Sequence, residues 1–430
     1  MDLTAVAIIA LLVVGYGFVS ARLSAWSITG PIAFVVAGVL LGPVSADVVA
    51  GGFQQGVVEV LAEATLVVLL FTDATRIDLR RLARQLTLPA RLLGIALPLT
   101  VAAGTAAAVG LFPRLAVWEA ALIAAILAPT DAALGAAVVA DERVPVRIRQ
   151  ALNVESGLND GLMLPAITIF AAVAAAEFDV QTPAYWAGFV ARQIGVGVLA
   201  GGVAGFVGGQ LLVRADARRW VDGALRQLTT LGVGVTAFAA AATVGGNGFV
   251  AAFVAGLTFG HAAREQCGMA ADFAEQEGQL LALLTFLFFG ALLAGPALTE
   301  ATPAAAAYAL LSLTVVRMIP VALSLVGVGL ELPTIAYLGW FGPRGLASIL
   351  FGLVVLEETA IGASSTILTV VAVTVAASTL AHGLTSVPLA ARYAAWFAAM
   401  PDAPTMPEAV PVETMRVRVG GDALPPPTGT

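Results

Sequence analysis

Apolar stretches long enough to cross a bilayer recur from one end of this chain to the other. A transmembrane helix needs about 20 consecutive, mostly apolar residues. In hydrocarbon every backbone N–H and C=O must be satisfied within the spanning structure. Together these constraints leave an all-α, polytopic membrane protein. Composition agrees: 59% of residues are hydrophobic and 11% charged, where a soluble domain carries about 25% charged residues. The pattern predicts about thirteen spans, from 3–20 and 27–44 through 115–139 and 150–176 to 333–355 and 363–388. The first run lacks a basic n-region and a small-residue cleavage site, so it reads as a span rather than a signal peptide. Residues 389–400 (LAARYAAWFAAM) read as an interfacial helix closing a transmembrane domain over 1–395. From Pro401 the chain has seven prolines and no apolar periodicity. That composition predicts a disordered tail over 401–430.

Several chemistries are excluded early. A lone cysteine, Cys267, rules out an intramolecular disulfide and any multi-cysteine metal site. Two histidines, His261 and His382, argue against a zinc centre. Neither a cofactor nor a nucleic-acid partner is expected. An intramembrane aspartyl protease could be built from Asp131 and Asp160, but no GxGD-type string is present, so the chain does not read as an enzyme.

Orientation follows from the arginines, which are the only basic residues besides the histidines. With the N-terminus outside, seventeen fall at inner ends or inner loops, Arg114 and Arg192 fall outside, and Arg317 and Arg344 lie in spans. The positive-inside bias therefore predicts N-terminus out and C-terminus in. A weak internal repeat accompanies it. GPIAFVVAGVLLGP (30–43) resembles GFVAAFVAGLTFG (248–260), and EATLVVLLF (63–71) resembles EGQLLALLTF (277–286). The two copies run in opposite directions through the predicted spans, a transporter plan; small-residue spacing is also ordinary helix-packing glue.

Ionisable residues inside a membrane are expensive and mark functional sites. Asp131, Glu155, Asp160, Arg317 and Arg344 lie well inside predicted spans, and Asp73 lies near the inner end of the third. At about 1.5 Å per residue, Asp131, Asp160 and Arg344 sit roughly 12, 15 and 16 Å from the inner ends of their helices. Three helices thus deliver charge to one depth, near the middle of a core about 30 Å thick. In NVESGLNDG, Glu155 and Asn159 stand at i and i+4 and share a face, while Ser156 and Asp160 form the neighbouring stripe. One face can hold an ion pair, expected between Glu155 and Arg344. The next offers hydroxyl and carboxylate oxygens to a hard monovalent cation. Pro129, in LAPTDAALG, removes a helix hydrogen bond and frees carbonyls beside Thr130 and Asp131. Asp131 reads either as a cation ligand or as the cap of a broken helix end. Arg317 precedes Met318-Ile319-Pro320 and reads as part of a kink or as a bridge between helices. Asp73 reads as an outer-shell group at the cation entrance or as a local partner of Arg76. The residues by themselves specify an ion-coupled transporter with a mid-membrane carboxylate, with a channel or a proton-coupled solute symporter as weaker readings.

APTDAAL, NVESGLNDG, GPRG and AHGLTSVPLA occur in that order, and with FTDATRIDLR the chain resembles bacterial NhaP-like sodium/proton antiporters of the sodium/hydrogen-exchanger branch. The resemblance covers residues 1 to about 395. It implies an inverted-repeat fold with broken crossing helices, in which a core moves against a dimerisation domain, so a homodimer in the bacterial cytoplasmic membrane. It further implies that Asp160 binds proton and Na⁺ (or Li⁺) in turn, with Asn159, Ser156, Thr130 and Asp131 around it. Glu155 and Arg344 fall where the family has a buried ion pair. The second broken helix is expected in the HG-containing span, near Thr374 to Gly383. This chain has Ala132 where many relatives have Pro after the TD, and Thr72-Asp73 where some carry a third-span Glu. One proton for one monovalent cation at one carboxylate makes the exchange electroneutral; K⁺/H⁺ exchange is the alternative.

Overall fold

The computed structural model of the protein describes residues 3–46, 48, 55–78, 87–131, 134–175, 183–264, 267–358 and 361–412. Helices are the only regular structure among the described residues. In chain order they are α1 (Leu3–Ala25), α2 (Gly30–Leu41), α3 (Gln55–Arg76), α4 (Thr87–Leu111, with a π-turn at Leu92–Ala96), α5 (Val117–Leu127) and α6 (Ala136–Ala140). Then follow α7 (Val146–Ala175), α8 (Pro183–Ala217), α9 (Gly223–Thr243), α10 (Gly248–Ala262) and α11 (Cys267–Phe289, carried on by a π-turn at Gly290–Ala294). The last are α12 (Pro303–Leu313), α13 (Val315–Ser324), α14 (Leu332–Trp340), α15 (Leu346–Glu358) and α16 (Ser364–Ala398). Among the described residues, seven helical segments are long and apolar enough to cross a membrane, and α2, α5 and α10 are shorter apolar helices.

Local sequence explains where these helices begin. Asn247 caps α10 by accepting from Val250 N at 2.9 Å, and Thr302 caps α12 by accepting from Ala305 N at 3.2 Å. Pro31 and Pro303 stand in first turns, where their missing N–H has no partner to lose.

The two copies of the sequence repeat pack crosswise. α10, from the second copy, lies against α3 of the first. Gly256 and Gly260 make this possible, because a Cβ on either would come within 2.3 Å of the Phe71 or Thr75 carbonyl. α2, from the first copy, lies equally close to the end of α11 through Gly38, whose added Cβ would meet Leu287 O at 2.1 Å. Each copy therefore buries its small-residue helix against the other copy, which is how small residues bring membrane helices together.

A one-residue break at Thr314 separates α12 from α13, and two longer interruptions divide what would otherwise be spans. Residues 128–135 separate α5 from α6, and residues 341–345 separate α14 from α15. The first was expected from Pro129. The second corrects the sequence reading, because the HG-containing helix α16 runs unbroken from Ser364 to Ala398. The break lies in FGPRG, where Pro343 and the glycines at 342 and 345 disfavour helix, whereas Thr374–Gly383 contains no proline. α16 also absorbs the stretch expected as a separate interfacial helix, continuing through Pro388.

The tail differs from expectation over its described part. Residues 403–405 and 407–409 form 3-10 turns, and Glu408 is fully buried. Its Oε1 accepts from Glu331 N and Thr334 Oγ1, each at 2.9 Å. Arg147, in the first turn of α7, donates to Pro407 O at 2.5 Å. Glu408 thus caps α14 from a distance, and the composition that suggested disorder is overridden by one carboxylate with specific donors. Residues 413–430 lie outside the described residues.

Candidate functional site at the crossing of two broken helices

The two unwound segments meet. Asp131 N donates to Pro343 O at 2.7 Å. The Asp131 carboxylate accepts from Leu346 N at 2.6 Å and from Leu134 N at 3.4 Å, so it closes the start of α15 from the other segment. Ser348, one turn into α15, donates to Ile126 O at 2.7 Å. Backbone groups freed by unwinding cannot be left bare in a buried setting, and here each segment supplies partners to the other.

Arg344 works at the same crossing. It is fully buried. Its guanidinium donates to Leu127 O at 2.9 Å, to Ser312 O at 3.0 Å and to Gly342 O. Leu127 ends α5, and Ser312 is the penultimate residue of α12. A fixed positive charge therefore sits at the carbonyl ends of two helices, where the macrodipole favours a cation.

α7 brings its polar stripes to this crossing in the order the spacing predicted. Glu155 and Asn159 are buried, while Ser156 and Asp160 on the adjacent stripe are half-buried. Thr130, on the unwound segment after α5, lies 3.0 Å from Ser156 Oγ and accepts from Asn159 Nδ2 at 2.7 Å. Asn159 Oδ1 is buried and has no hydrogen-bond donor among the described residues. Hydroxyl and amide oxygens from two elements are thus gathered beside Asp160, a donor set suited to a hard cation.

The ion pair is not the one expected. Glu155 is bound by Arg317, which donates to its two carboxylate oxygens at 2.5 and 2.9 Å, both side chains being buried. Arg344 is held by carbonyls instead. Both arginines lie on interrupted stretches, but Arg317 leaves α13 just after the break at Thr314 and passes along the unwound segment. A Cβ on Gly342 would approach its Nε to 2.5 Å. No local spacing could have distinguished the two arginines, since either could reach α7 only through tertiary packing.

Of the other predicted site residues, Asp131 joins the crossing in its helix-end role, with both oxygens facing backbone amides. Asp73 lies in the last turns of α3, half-buried. One residue past that helix, Ile77 reaches α7 at Gly157, whose added Cβ would stand 3.2 Å from Ile77 Cδ1. Sequence reasoning missed Ser378 and His382, which lie under the crossing on α16. The HG string had drawn notice to that helix, as a break rather than as a support.

The family model for "Sodium/hydrogen exchanger, transmembrane" matches residues 8–392. Two solved structures of a sodium proton antiporter from Methanocaldococcus jannaschii, MjNhaP1, share the fold. One, determined at pH 8, superposes with a TM-score of 0.69 at 21% identity, covering 91% of this chain and 96% of that one. The other, from an electron-microscopy map, gives 0.66 at 18% identity, covering 93% and 97%.

Proposed function

Since the chain belongs to the sodium/hydrogen exchanger family, and is therefore a multi-pass membrane transporter that exchanges a monovalent cation for protons, we propose that it exchanges Na⁺ for H⁺ one for one, with Asp160 as the shared carboxylate. The observation that carries this reading is the Thr130–Ser156–Asn159 cluster beside Asp160, built where α5 is unwound. Glu155 is engaged by Arg317 and Asp131 by two backbone amides. Asp160 is thus the carboxylate on the half-buried stripe. It holds a proton or, once deprotonated, a cation coordinated with the Thr130 and Ser156 hydroxyls and the Asn159 carbonyl oxygen. A single group that is neutral with either ligand bound can alternate between the two sides only when loaded, and that is what couples the two fluxes.

The placement that accompanies this reading is a bacterial cytoplasmic membrane with the N-terminus outside, and a homodimer. The arginine asymmetry supports the orientation. The test is a pH-dye assay in proteoliposomes containing the purified protein, with Na⁺, K⁺ and Li⁺ added in turn. Proton movement on Na⁺ addition is the expected result. A response to K⁺ alone makes the protein a K⁺/H⁺ exchanger, and no response to any of the three overturns the reading.

A further inference from the structure

We propose that His382 is a positioning residue for ion exchange: together with Ser378 it holds the unwound segment 341–345 in the shape that the crossing requires. The proposal rests on the function given above, although its structural half can be tested without transport.

Unwinding after Trp340 leaves the Trp340 carbonyl with only the amide of Gly342, at 2.8 Å within the turn, and the buried amide of Arg344 with no helical acceptor. One face of α16 meets both. Arg344 N donates to Ser378 Oγ at 2.7 Å. Ser378 Oγ lies 3.1 Å from His382 Nδ1, and His382 Nε2 lies 2.9 Å from Trp340 O. Each ring nitrogen of His382 thus faces a carbonyl that can only accept, Nε2 the Trp340 carbonyl and Nδ1 that of Ser378. With the ring hydrogen on Nε2, His382 donates to Trp340 O. In the neutral ring Nδ1 then accepts, and the Ser378 hydroxyl, which receives the Arg344 amide, donates to it. In the other neutral tautomer Nδ1 donates to the Ser378 carbonyl, 3.0 Å away.

The ring is further held by Trp340, whose indole lies over it at 5.0 Å between centroids and donates to Thr385 Oγ1 at 3.1 Å. Positions 378, 382 and 385 fall on one helix face. A continuous helix therefore serves as an external cap for a broken one.

The segment so held is the one that shapes the site. Arg344 follows Pro343, whose carbonyl accepts from Asp131 N. Asp131 follows Thr130, which binds Ser156 and Asn159. His382 touches none of the residues around Asp160 in these contacts; it acts through the backbone between them.

The experiment uses the full-length protein, wild type and the variants H382F, H382Q and S378A. Phe keeps a ring of similar size and removes both polar atoms, whereas Gln returns a donor near the Nε2 position. Two quantities are read: hydrogen exchange of the 341–345 amides, and half-saturating Na⁺ in proteoliposomes. Losing one hydrogen bond of ordinary strength corresponds to about fivefold. H382F and S378A should raise both amide exchange and half-saturating Na⁺ about fivefold, and H382Q should stay within about twofold of wild type. Wild-type behaviour of H382F, or an H382Q as impaired as H382F, overturns the proposal. Should H382F fail to fold, S378A, which removes a single oxygen, carries the same two readouts and decides alone. If the wild type moves no protons on Na⁺ addition, the proposed function fails, and the amide-exchange comparison still decides the capping role.

Discussion

Arg317 on α13 and Glu155 on α7 form a two-pronged pair, 2.5 and 2.9 Å long, with both side chains buried. It joins the helix that carries Asp160 to the helix that ends the Thr314 break. Breaking a buried pair by removing one partner leaves a buried charge uncompensated, at about 3–5 kcal/mol. Glu155→Gln or Arg317→Met should each lower the thermal unfolding temperature markedly, and the double variant should recover part of the loss. Pairing Glu155→Gln with Arg344→Met should show no such recovery. A recovery seen with Arg344 and absent with Arg317 would reverse the assignment.

Asp160 should be required for exchange and not for folding. Asp160→Asn should insert, purify and melt at or above the wild-type temperature, while Na⁺-driven proton movement disappears. Substantial exchange by such a variant in proteoliposomes would falsify the role given to this carboxylate.

Exchange should be electroneutral. With Glu155 held by Arg317 and Asp131 by backbone amides, only Asp160 is expected to change ligand during the cycle. A full charge moved across the membrane is worth about 2.3 kcal/mol per 100 mV, so a charge-moving cycle would respond strongly to voltage. A potassium–valinomycin potential should leave the Na⁺-driven pH change unaltered, once K⁺ has been shown not to be a substrate. If the rate or end point follows the potential, a second group takes part, and Asp131 is the first to test.

Glu408 secures the proximal tail. Its carboxylate joins the start of α14, and a hydrogen bond to a charged group contributes about 1.5–3 kcal/mol. Glu408→Ala should lower the unfolding temperature and hasten proteolytic cleavage between residues 399 and 412. Equal cleavage rates for the variant and the wild type would mean that this segment is not held by the contact.

The membrane class, the helical architecture and the polar stripe of α7 were legible in the sequence because each depends on local spacing. Apolar run length sets the spans, and the 3.6-residue period places Glu155 with Asn159 and Ser156 with Asp160. Pro129 likewise marked the first break. The second break was also written locally, in Gly342, Pro343 and Gly345, but attention to the HG string placed it in α16. That helix stays continuous because its own ladder is intact, and its Ser378 and His382 turn outward to serve the neighbouring segment.

What only the tertiary structure decided was which charge meets which. Arg317 and Arg344 are both arginines at interrupted helices, and nothing in their neighbours says which one Glu155 will find. The outcome depends on where α13 and the 341–345 segment cross α7, over 150 residues away in sequence. The same holds for Asp131, whose carboxylate meets the Leu346 amide 215 residues later, and for Glu408, whose burial needed donors at the start of α14. Periodicity within a helix follows from backbone geometry, whereas partners between helices follow from packing of the whole chain.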